Sequence, residues 1–62
     1  MTLREYDVVI STEDIDENVK VGTKGVVVMV LDKIREIYEI EFFDANKDTI
    51  EVMEVSGTKL YR

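Results

Sequence analysis

Val21-Gly22-Thr23-Lys24-Gly25-Val26-Val27-Val28-Met29-Val30-Leu31 carries the strongest strand signal in the chain. Six consecutive apolar residues, Val26 to Leu31, most of them β-branched, form a run of strand length rather than helix length. Two glycines three apart stand just before it. That arrangement predicts a tight turn plus a position that needs positive φ or a bulge, which glycine adopts without steric cost, so a sheet is bent there. If Val26, Val28 and Val30 point inward, Val27, Met29 and Leu31 point outward on the same strand.

A few residues later, Tyr38-Glu39-Ile40-Glu41-Phe42 alternates strictly between apolar and acidic residues, which predicts a strand with one buried and one wet face. Upstream, Tyr6 to Ser11 reads as a first strand with Tyr6, Val8 and Ile10 on one face. Thr12 to Lys20 reads as a long solvated acidic loop pinned by Ile15 and Val19. Downstream, Ala45-Asn46-Lys47-Asp48 makes a turn, and Thr49 to Val55 a further strand with Ile50 and Val52 facing in. Ser56 to Lys59 breaks that strand, and Leu60-Tyr61 adds a short closing one. Leu31, Ile34, Ile37 and Tyr38 also fit helical spacing. A hairpin loop at Asp32 to Arg35 is preferred, because the runs on either side leave little room for a helix.

Four to five short, strongly bent antiparallel strands predict an all-β fold of the small SH3-like barrel kind, one domain over residues 1–62. The expected core is Val8, Ile10, Val21, Val26, Val28, Val30, Tyr38, Ile40, Phe42, Ile50, Val52 and Leu60. With 62 residues, no cysteine and no histidine, neither disulfides nor a Cys/His zinc site can staple the chain. A reducing cytoplasm suits such a composition. The first residues lack a basic, apolar leader, and no run approaches the ~18 to 20 apolar residues of a membrane span, so neither export nor membrane insertion is expected.

Eight Lys and Arg against fourteen Asp and Glu give a net charge of −6 with no cationic stripe. Nucleic-acid binding draws much of its affinity from cations displacing condensed counterions, so this charge disfavours a nucleic-acid or ribosome-associated role. A basic protein would be attracted and steered.

The strings Tyr6-Asp7-Val8-Val9-Ile10, Val21 to Val30 and Tyr38 to Phe42 resemble a bacterial family of stand-alone proteins of about this length, catalogued only as a domain of unknown function. The likeness covers nearly the whole chain. Its most specific part is the Gly-x-x-Gly-x-Val-Val turn followed by Tyr-Glu-x-Glu-Phe. The resemblance implies an SH3-like barrel and transfers no catalytic residue. This chain departs from the family pattern at Asp16, where a proline is usual, and near Lys47 or Asp48, where a glycine is usual. More distantly the layout is similar to the barrel of nitrile hydratase β subunits and to a ferredoxin-docking subunit of a photosynthetic dehydrogenase complex.

Candidate chemistry is sparse. Ser11 and Ser56 sit in turn-like contexts without a neighbouring base, and Glu39 with Glu41 reads as a solvated face, so no enzyme is expected and no cofactor is implied. Glu13, Asp14, Asp16 and Glu17 raise a calcium question, but the glycine turn and distal glutamate of a calcium loop are missing. A polyproline groove needs clustered aromatic residues, whereas tryptophan is absent and Tyr6, Tyr38 and Tyr61 are scattered. Gly22-Thr23-Lys24-Gly25 leads into a strand, not into the helix of a phosphate loop. Two candidate contact regions remain for a protein partner or a homodimer: the acidic loop of Glu13, Asp14, Asp16 and Glu17, and the outward row of Val27, Met29 and Leu31. For that row the competing reading is that terminal segments or the Lys33 to Ile37 loop fold over it. The expectation is a non-catalytic protein-binding module, an accessory subunit or a neutralising partner of a basic protein.

Overall fold

The computed structural model describes residues 2–62. Five antiparallel strands, β1 (Val8–Ser11), β2 (Lys24–Asp32), β3 (Ile37–Phe43), β4 (Thr49–Ser56) and β5 (Leu60–Tyr61), form one sheet in the order β4-β3-β2-β1-β5. The sheet curls into a half-barrel with β4 and β5 at its two edges, which agrees with the all-β expectation. A single 3-10 turn, Gly57–Lys59, joins β4 to β5, and the Ser56 side chain caps it by accepting from the Thr58 N–H. Residues 33–36 form the hairpin turn anticipated in place of a helix. There the Arg35 N–H donates to the Asp32 carboxylate at 2.9 Å.

The concave side holds Leu3, Val9, Val19, Val27, Tyr38, Ile40, Phe42, Val55 and Leu60, with Ile15, Val30, Ile50 and Met53 packed against them. Tyr38, Ile40, Phe42 and Leu60 lie where the alternation places them. Val8, Ile10, Val21 and Val52 do not, each being exposed at 40% or more. In β1 three consecutive apolar residues carry no phase of their own, and Val9 rather than Val8 and Ile10 faces the core. Shifting a strand's phase by one residue exchanges its two faces. Ser11 follows Val9 on the buried side. Its hydroxyl donates to the Lys20 carbonyl at 2.7 Å and accepts from the Thr23 N–H at 3.0 Å, so a polar residue is satisfied there.

In β2, register shifts lie between Val27 and Met29 and again between Val30 and Asp32. Val27 therefore pairs with Ile40 and points inward, fully buried, while Met29 pairs with Glu39 and points outward. The expected outward row is broken at its first member. A third shift, at Phe42/Phe43 against β4, turns Glu51 inward opposite Phe42 and Val52 outward opposite Glu41.

The two glycines divide the bend between them for different reasons. Gly22 has a φ of 88°, the left-handed conformation expected of one member of the pair, and open space around it. Gly25 instead lies inside β2, where a Cβ would stand 2.7 Å from Ile40 Cγ2, 2.9 Å from Phe42 Cδ1 and 3.0 Å from the Glu41 carbonyl oxygen. Absence of a side chain lets β3 close tightly onto β2 at that point.

Candidate partner surface

The acidic loop is built, not merely solvated. The Asp16 carboxylate accepts from the backbone N–H groups of Asn18 and Val19, both at 2.8 Å, and Ile15 donates to the Val19 carbonyl at 2.8 Å. Val19 is thereby driven into the core and Ile15 against it, as the sequence predicts. Asp14 accepts from the Val21 N–H at 2.9 Å. Glu13 and Glu17 stay exposed. Of the four acidic residues, two shape the loop and two face solvent.

Asp16 also meets Glu51, the carboxylate that the β4 register turns inward. A hydrogen bond shared with the Asp16 carboxyl, reinforced by burial and the Asp16 charge, raises the Glu51 pKa above the ordinary value, with the Asn18 side chain opposing. The Asn18 N–H and then the Val19 N–H hold Asp16 below its ordinary value. Sequence spacing gives no hint of this pair, because it depends on the shift at Phe42/Phe43.

On the convex side, residues paired across strands share a face. One row runs Val8, Val26, Glu41, Val52; the next runs Tyr61, Ile10, Lys24, Phe43, Thr49. A third runs Met29, Glu39, Glu54. Val8, Ile10, Tyr61, Met29 and Val52 are exposed, so apolar surface lies beside a cluster of carboxylates. Glu39 and Glu54 stand directly opposite one another, a like-charge cross-strand pair, and such pairs are destabilising. Glu41 accepts from the Thr49 hydroxyl at 2.6 Å. Among the described residues none of these three carboxylates has an ion pair, since Arg35–Asp32 and Arg62–Asp7 lie elsewhere.

Met29 and Leu31, the surviving members of the expected row, are exposed at 48% and 42%. The N-terminal segment bonds to β2 beside them rather than covering them. Tyr6 donates to the Val27 carbonyl at 2.7 Å, and the Asp7 carbonyl accepts from the Val27 N–H at 3.0 Å. A cavity of about 510 Å³ lies between Leu3, Arg4, Met29, Val30 and Lys33. A second, of about 590 Å³, opens at the rim between Lys24, Phe43, Lys47 and Ile50. Tyr6 and Tyr61 are largely exposed and Tyr38 is fully buried, its hydroxyl accepting from the Leu3 N–H at 3.1 Å.

Among the described residues no three carboxylates are placed to hold a metal ion, and no helix is long and apolar enough to cross a membrane. No curated protein and no solved structure matches the chain. A family described as a domain of unknown function, DUF4926, matches residues 5–61, and its match spans every strand from β1 to β5. With nearly the full length covered, the chain belongs to the DUF4926 family.

Proposed function

We propose that the protein is a non-catalytic binding module of the bacterial cytoplasm whose partner is a basic protein, docked on the convex face of the sheet. The observation that carries this reading is the Glu39–Glu54 pair, one carboxylate half-buried and the other exposed, two like charges held opposite each other with Glu41 and Met29 alongside and, among the described residues, no ion pair to either. Such a pair costs free energy in the free protein, and a Lys or Arg from a partner would relieve it. The surrounding Val8, Ile10, Val52 and Tyr61 provide the apolar area that gives an interface its core. A net charge of −6 speeds encounter with a cationic partner.

The test is co-purification from the native cell at two salt concentrations, comparing wild type with Glu39→Gln. The expected result is a basic protein retained by the wild type, released by salt and lost from the variant, while the variant itself is at least as stable. Retention of the same partner by Glu39→Gln, or a partner of acidic charge, would overturn the reading.

A further inference from the structure

The two edges of the half-barrel are unequal. β5 is two residues long, whereas β4 presents eight, Thr49–Ser56, and bonds only to β3. No other backbone hydrogen bond among the described residues reaches that segment. Proteins commonly blunt such an edge with proline, lysine or a covering loop. Thr49–Ser56 carries neither proline nor lysine, and its charged residues are Glu51 and Glu54 alone.

A second copy is a poor occupant. Pairing two β4 strands antiparallel over their full length sets each Glu54 opposite the other copy's Glu51, between molecules that each carry −6. The same arithmetic defines a good occupant. An added antiparallel strand needs a cation opposite Glu54, apolar residues opposite Met53 and Val52, and a cation opposite Glu51. The residues opposite Glu54 and Val52 fall on the convex face, where Glu39 adds its charge to that of Glu54. Those opposite Met53 and Glu51 fall on the concave face, beside Asp16.

We infer that the free edge of β4 accepts an extended segment of pattern basic–apolar–apolar–basic as a sixth strand, by main-chain pairing. This rests on the reading of a basic protein partner and assigns its mode of docking. Backbone bonds supply affinity in such complexes, and the alternating side chains supply selectivity.

The probe is a synthetic acetylated, amidated octapeptide, Thr-Thr-Lys-Val-Ile-Lys-Thr-Thr, titrated into the full-length protein labelled with nitrogen-15. The Lys→Glu peptide and two peptides N-methylated on alternate residues, one for each edge of the added strand, serve as controls. The lysine peptide is expected to give saturable shifts centred on Thr49–Ser56 and to slow amide exchange there. N-methylation of the bonded edge should weaken binding by on the order of tenfold to a hundredfold, the loss of about two hydrogen bonds, while the other edge tolerates it. In Glu51→Lys/Glu54→Lys protein, preference should reverse to the glutamate peptide.

Equal binding by both N-methylated peptides, shifts confined to residues outside β4, or no binding would each overturn strand addition. Any of these together with loss of the native partner from Glu39→Gln leaves the basic-partner reading standing. Retention of that partner by the variant removes the basic-partner reading itself.

Discussion

Replacing Gly25 by alanine isolates the packing device that curls the sheet. The added Cβ would sit 2.7 Å from Ile40 Cγ2, a methyl fixed directly to its own Cβ, and 3.0 Å from a backbone oxygen of the paired strand. Neither neighbour is the free end of a flexible side chain. Overpacking of this kind costs about 1–3 kcal/mol. Alanine recovers about 0.5–1 kcal/mol of that, because glycine in a strand interior is entropically unfavourable. The expected net loss is about 1–2 kcal/mol, against a total stability of about 3–9 kcal/mol for a chain this short. At about 4–8 °C per kcal/mol the midpoint should fall by roughly 5–15 °C, read by circular dichroism during heating and checked by urea unfolding. Ile40→Leu in the Gly25→Ala background moves the clashing branch and should return part of the loss. Gly22 provides the contrast, since nothing lies within 4 Å of its added Cβ and only its φ of 88° matters. An L-alanine there should cost about 1–2 kcal/mol, whereas D-alanine introduced by chemical synthesis should be tolerated. A Gly25→Ala protein as stable as wild type would refute the close-approach argument.

Lys47 holds a φ of 67° at the turn after β3, so Lys47→Gly should raise stability by about 0.5–1 kcal/mol in the same thermal assay. Tyr38→Phe leaves the buried Leu3 N–H without its acceptor and should cost about 1–3 kcal/mol by urea unfolding. Val27→Glu places a charge in the core and should abolish folding, while Met29→Glu on the exposed side should stay within about 1 kcal/mol of wild type, as one-dimensional NMR and thermal scans will show. Glu51 has a raised pKa, so its contribution to stability is complete below the ordinary carboxylate value and is lost as pH rises through the folded value. Asp16, with a lowered pKa, contributes above its ordinary value and loses that contribution as pH falls through its folded value. Urea midpoints measured across the acidic range should therefore show a decline on the alkaline side of Glu51 titration that is absent from Glu51→Gln.

Strand positions, the hairpin after Asp32 and the burial of Tyr38, Ile40 and Phe42 are legible because β3 alternates apolar and acidic residues without interruption. The phase of β1 is not, since Val8-Val9-Ile10 is apolar at every position and the residue that fixes it, Ser11, is polar yet buried by hydrogen bonding. Bulges are equally silent in composition. One moves Val27 into the core and leaves Met29 outside, so the outward row could be named only in part. Another turns Glu51 inward to Asp16 and Val52 outward. The glycine pair announces a bend but not the division of labour within it. Leu3 sits in a segment with no periodic pattern, and only the Tyr38 hydroxyl reveals why it is buried.

The joint between β1 and β5, which pairs Ile10 with Tyr61 and Ser11 with Leu60, has a consequence for motion. Local opening needs the least free energy where few bonds and little apolar area are given up, and this seam is only two residues deep, stitched further by Thr12 donating to the Lys59 carbonyl and by Arg62 reaching Asp7. The β2-β3-β4 meander, joined by short turns, would survive such an excursion. Amide exchange should accordingly separate into a slow block in the meander and a faster one at Leu60 and Tyr61, and each opening briefly uncovers the flank of β1 as a transient second edge.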